Sequence, residues 1–256
     1  MTKIAAVAVA ASLGAAMPAA ATVTAFANFS ASNQANNIRW EKVGTDSGKL
    51  YTISTGAGSS LGSVAVRFTY LTPAIAYLAN LPAIWTLNAT TIASPASLSA
   101  GFLFQRISSG SMSFVSTTAF SVGSTFYAAG SNLLTVNYGA SGGSNPVIFG
   151  QSGGTSGSFS ASTSAGDLVT MTSDVLDFST TIERDFALSM VSINPMLTRS
   201  NAASALNSFR ANAGGSFSSN PPPVVGVPEP GTWAMLLAGF GMVGLARRRR
   251  NASVAA

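Results

Sequence analysis

The sequence predicts an all-β fold: an antiparallel β-sandwich or jelly-roll-like single domain, flanked by an N-terminal signal-peptide helix and a C-terminal hydrophobic helix. Three observations carry that prediction. Val64, Val66, Phe68 and Tyr70 alternate along SVAVRFTY, and Phe186, Leu188 and Met190 do so along DFALSM, the period of a strand with one buried face. Short runs of the same kind recur as KLYTIST, AIWTLNATT, GFLFQRIS, MSFVSTTAF, NLLTVNYG, NPVIFG, GSFSAST and DLVTMTSDVLDFS, separated by turn-forming residues at spacings of roughly 8–15 residues. The two apolar stretches sit at the ends of the 256-residue chain and leave roughly 200 residues between them, enough for one core.

At the N-terminus, Lys3 precedes the apolar and small run IAAVAVAASLGAAM, and Pro18-Ala19-Ala20-Ala21 offers an A-x-A cleavage site. A charged start, a short apolar stretch and small residues at the cut define a secretory signal peptide. Cleavage is expected after Ala21, with Ala27 as the second choice. Residues 1–21 are therefore the leader, 22–213 the β domain and 214–227 a Ser/Pro-rich linker ending in three successive prolines that favour an extended chain. Thr72–Asn80 and Ser200–Ala211 tolerate a short helix or a loop. The Gly/Ser run 139–157 lacks the Lys-Ser/Thr ending of a phosphate loop, and reads as hairpin loops around one strand at Pro146–Phe149.

Composition removes most chemistries. There is no Cys and no His, which excludes thiolate nucleophiles, thiolate metal sites, disulfides and imidazole general bases. The net charge of +5 is concentrated at the ends: Lys3 and Arg247, Arg248, Arg249 and Arg250, offset by Glu229, supply most of it, and the segment between holds eight basic and seven acidic residues. A near-neutral body has no electrostatic footprint for nucleic acid. No catalytic residue, metal site or cofactor is assigned, and a non-enzymatic protein is expected.

Two constellations are the alternatives to that expectation. Asp174, Asp177, Glu183 and Asp185 lie together in DVLDFSTTIERD; paired carboxylates can act on a glycosidic bond when they face each other across it, whereas solvated charges at hairpin ends are the bland reading. On strands, Asp174 and Asp177 would point to opposite faces and Glu183 and Asp185 would share one. Trp40, Trp85, Tyr51, Tyr70, Tyr77, Tyr127 and Tyr138 offer either a sugar-stacking platform or ordinary core packing. NATTIAS and VSTTAF hint at a surface threonine array, with irregular spacing.

The tail VPEPGTWAMLLAGFGMVGLARRRR joins Pro228, Glu229 and Pro230 to Trp233, an apolar helix over about 232–246 and an arginine cluster, followed by a short tail, 251–256. Fifteen helical residues span about 22 Å against the ~30 Å hydrocarbon layer, but Trp233 anchors one interface and the arginines snorkel at the other, keeping their side cytoplasmic. Residues 228–250 resemble the PEP-CTERM sorting signal in its PEPxxWA form, with Gly231 where such tails often carry Ala. The resemblance implies export through the inner membrane of a Gram-negative bacterium, a transiently membrane-anchored precursor, and recognition by exosortase with removal of the tail near Pro228-Glu229-Pro230. It also implies a final place at the cell surface or in the extracellular matrix, structural or adhesive and associated with exopolysaccharide or biofilm. Tails of this kind have also been named after ice-binding proteins that carry them, a label that says nothing about this body.

Overall fold

The computed structural model describes residues 23–32, 36–54 and 58–226. The leader with its Ala21 cleavage site, and the tail residues Pro228, Glu229, Pro230, Trp233 and Arg247–Arg250 with the helix between them, lie outside the described residues. Within them the chain is nearly all β. The strands are β1 (Thr24–Ala31), β2 (Ile38–Lys42), β3 (Gly48–Thr52), β4 (Val64–Tyr70), β5 (Leu81–Thr91), β6 (Ser97–Ser99), β7 (Phe102–Arg106), β8 (Ser109–Ser116) and β9 (Phe120–Val122). They continue as β10 (Thr125–Tyr127), β11 (Asn132–Gly139), β12 (Val147–Gln151), β13 (Gly157–Ser162), β14 (Leu168–Thr172), β15 (Leu176–Asp177), β16 (Glu183–Asn194), β17 (Phe209–Asn220) and β18 (Val224–Val225). Of the two stretches that tolerate a helix, one yields a single 3-10 turn, Pro73–Ile75. The other forms turns, an isolated Arg199–Leu206 bridge and the start of β17.

Fourteen strands join in one antiparallel sheet, ordered β14-β11-β8-β5-β3-β2-β17-β16-β13-β12-β7-β6, with β1 and β4 off that path. The long strands close it into a circuit. Along one edge, β17 pairs first with β2, at Phe209↔Trp40, and then with β1, at Phe29↔Gly215 through Thr24↔Ser219. Likewise β5 pairs with β4 at its start and β3 at its end. Since β1 pairs β4 and β2 pairs β3, the six strands β17, β1, β4, β5, β3 and β2 form a ring of hydrogen bonds. A bulge between Ala25 and Ala27 lets both Phe26 and Ala27 turn inward, the one-residue offset such irregularities provide.

The interior is aromatic. Phe29 lies 4.8 Å from Trp85 and 4.7 Å from Phe114, Phe68 lies 5.1 Å from Phe114, and Phe217 meets Phe114 edge-on at 5.4 Å, separations at which tilted and edge-to-face rings attract. Further along, Tyr138 of β11 packs on Phe159 of β13 and Phe186 of β16. Trp40 sends its indole N–H to the Leu206 carbonyl at 3.0 Å, so its burial leaves no donor stranded.

The expected linker, 214–227, begins too early. Residues 214–220 are the second half of β17, hydrogen-bonded to β16 on one side and β1 on the other. The small residues that suggest a flexible chain are there for close packing: a Cβ on Gly215 would stand 2.5 Å from Leu188 Cδ2 and 2.7 Å from the Ala187 carbonyl. Phe217 and Ser219 face inward while Ser216, Ser218 and Asn220 face out. Even Val224–Val225 pairs, with β15.

Candidate functional site

The four acidic residues are dispersed. Asp174 sits in a bend before β15 and accepts the Asn132 backbone N–H at 2.7 Å. Asp177 accepts the backbone N–H and the hydroxyl of Ser179 at 2.8 and 2.9 Å, and these two bonds hold its carboxyl below the usual range. Glu183 and Asp185 share the outer face of β16, where Glu183 lies 3.5 Å from the Asn220 amide. Arg184 between them turns the other way and donates to the Phe178 and Thr181 carbonyls at 3.1 and 2.8 Å. Asp177 lines one cleft with Arg184, Asp185 lines another with Asp167, and neither cleft includes Asp174 or Glu183. Glu183 and Asp185 stand side by side on one strand; glycoside hydrolysis needs carboxyls on either side of the bond.

The aromatic residues singled out by the sequence serve the core instead. Trp40, Trp85, Tyr51, Tyr70, Tyr127 and Tyr138 are buried, and Tyr77 alone of the seven is exposed, at 63%. Burial raises the phenol pKa of Tyr70 and Tyr138; for Tyr51 it acts together with a hydrogen bond to Glu41. The threonine array also falls elsewhere than NATTIAS and VSTTAF suggest. Cross-strand register places Thr86, Ser113, Thr135 and Thr172 in one row and Asn88, Ser111, Asn137 and Thr170 in the next. Its hydroxyls partly bond one another, as in Thr86–Ser113 at 2.7 Å.

A cluster the sequence reading missed lies on the outer face of β7 and β12. Phe102 and Phe149 stack with centroids 5.0 Å apart and planes 14° apart, and Phe104 tilts against Phe149, also at 5.0 Å. Phe102 is 38% exposed, with Phe104 and Phe149 half-buried. The alternation in GFLFQRIS was legible, but hydrophobicity points it the wrong way, because Gln105 faces inward. There its side chain donates to the Ser94 carbonyl at 2.7 Å and accepts the Leu206 N–H at 3.1 Å. With Leu103 and Ile107 on the same buried side, the two phenylalanines are left outside.

Beside this stack a tight turn divides two clefts. Gly142 and Gly143 take φ of 57° and 95°, both in the left-handed range that favours glycine in two-residue hairpin turns, and Ser141 and Ser144 bridge across them. On one side Ser97, Phe104, Arg106 and Asn145 line a cleft of about 400 Å³. On the other, Asn145, Ser160, Ser162, Asp167 and Asp185 line one of about 330 Å³. Asp167 is committed to the frame, accepting the Ser144 hydroxyl at 2.6 Å and the Ser162 N–H at 3.0 Å. Asp185 Oδ1 is buried and has no hydrogen-bond partner among the described residues.

Fold and surface thus define a thiol-free, histidine-free β protein with no group of acidic or histidine residues suited to a metal among the described residues. Its particular class comes from the tail: residues 226–250 match the model of the PEP-CTERM protein-sorting motif. The chain carries a PEP-CTERM motif, which marks it for export and exosortase sorting as a membrane-anchored precursor. No curated protein and no solved structure matches the chain. Among the described residues no helix is long and apolar enough to cross a membrane.

Proposed function

We propose that this protein is a non-enzymatic structural or adhesive component of the cell surface or extracellular matrix, associated with exopolysaccharide. A sandwich-like β body is released there once exosortase has trimmed the tail. The observation that carries this reading is the order of parts: the last strand among the described residues, β18, ends at Val225, and the sorting motif begins at residue 226. Every strand among the described residues lies before the signal, so removing residues from Pro228-Glu229-Pro230 onward leaves each of them intact. Dispersed carboxylates and the lack of Cys and His support a binding rather than a chemical role. Exosortase and, transiently, the inner membrane are its processing partners, and the near-neutral body has no claim on nucleic acid.

Leader cleavage after Ala21 fits the same scheme. Cutting after Ala27 would remove the first half of β1, including Phe26, which packs 5.3 Å from Phe178. Fractionation of an exosortase-bearing host tests the reading. The protein is expected in the matrix or surface fraction and to be released when the exopolysaccharide is digested. Recovery only in the soluble medium, with no dependence on polysaccharide, would contradict it.

A further inference from the structure

We propose that the outer face of β6, β7, β12, β13 and β16 is a binding site for an uncharged, hydroxyl-rich polysaccharide, with Phe102, Phe149 and Phe104 as its stacking end. The inference rests on the matrix reading above and gives it a location. Register assembles the face: Ser97 pairs Phe104, Phe104 pairs Phe149, Phe149 pairs Ser158, and Ser158 pairs Ser189. One row therefore runs from an aromatic end onto small polar side chains. A second runs from Arg106 through Val147 and Ser160 to Ala187. From β7 to β16 the distance is roughly 14 Å at the usual spacing between strands, enough for several linked sugars.

Three features select the ligand. Phe102, 38% exposed and stacked on the half-buried Phe149, offers an electron-rich aromatic surface to solvent; the C–H face of a pyranose carries the complementary positive edge. No other aromatic stack involves an exposed phenylalanine among the described residues. Beyond the stack, Asp185 Oδ1 is a buried acceptor without a donor, a state that costs free energy until a donor arrives. A sugar hydroxyl reaching the cleft between Asn145 and Asp185 supplies one. Finally, Arg106 lies on one side of the Ser144–Asn145 turn, against Asp167 and Asp185 on the other and Glu183 further along the outer face of β16, so the face is net acidic, which repels a polyanion and favours a neutral polymer.

The test is affinity electrophoresis of the full chain in detergent, in gels containing hydroxyethyl cellulose, alginate or no polymer. The wild type is expected to be retarded by the neutral glucan and little by alginate. Phe102→Ala with Phe149→Ala should weaken that retardation roughly tenfold, the effect of losing a stacking contact worth about 1.4 kcal/mol. Asp185→Asn should weaken it several-fold, and Tyr77→Ala, on another surface, should not. Thermal melting confirms that each variant is folded; should the double variant melt early, Phe102→Ser alone on the exposed ring replaces it. Equal retardation of wild type and ring variants, no retardation of the wild type, or retardation by alginate alone overturns the site. If the ring variants still join the host matrix as the wild type does, the site falls and the matrix reading stands. If the wild type is absent from the matrix, that reading falls whatever the gels show.

Discussion

Two tyrosines buried in the same interior differ by one hydrogen bond. Tyr70 Oη donates to the Leu133 carbonyl at 3.0 Å, whereas the Tyr138 hydroxyl is buried without a partner. A buried polar group without a partner costs free energy, and a made hydrogen bond contributes about 1 kcal/mol. Tyr70→Phe should therefore lower stability in urea by about 1 kcal/mol, while Tyr138→Phe leaves it unchanged or raised; equal losses would refute the distinction. The phenols also set an alkaline limit. Both have pKa values raised by burial, so the folded state stays protonated where the unfolded chain, titrating near pH 10, already ionises. The sign follows: their contribution is complete below about pH 10 and is lost as pH rises further through the folded-state values. Unfolding followed by circular dichroism should begin above about pH 10 together with tyrosinate absorbance, and Tyr138→Phe should soften that loss.

At the scale of elements, β17 is the least expected and most connected strand. It pairs with β16 along most of its length and with β2 and β1 on the other edge, so the ring cannot close without it. In a linker, Gly215→Ala would be neutral or mildly stabilising, since it restricts the unfolded chain. In a packed strand the same change forces Leu188 and the Ala187 carbonyl aside and should cost about 1–3 kcal/mol, measurable as a lower urea midpoint. Strands such as β4, β11 and β16 were legible because bulky apolar residues alternate along them. β17 was not, because its second half carries Gly214, Gly215, Ser216 and Ser218, and at Gly215 the Leu188 side chain, the Ala187 carbonyl and the Phe29 ring leave no room for a Cβ. The acidic group was legible as a sequence cluster, but, despite that proximity, Asp177 on β15 and Asp185 on β16 line separate clefts. The exposed phenylalanine stack was hidden by an inward glutamine, whose burial depends on partners at Ser94 and Leu206 that no local pattern reveals.

At the scale of the whole molecule, charge and grease are divided by location. The described body holds nearly balanced charges, and the arginines gather beyond the apolar tail segment, where, in the function proposed above, they would oppose translocation and keep that end cytoplasmic. The described strands end before the motif begins, so the tail can be removed without loss of any pairing among them. That separation of a finished exterior domain from a disposable signal is the central claim. Mass spectrometry of the protein recovered from an exosortase-bearing host tests it most directly: the mature chain should start at Thr22 and yield no peptide beyond the Pro228-Glu229-Pro230 region. Chains that keep Arg247–Arg250 and remain in the envelope fraction would contradict it.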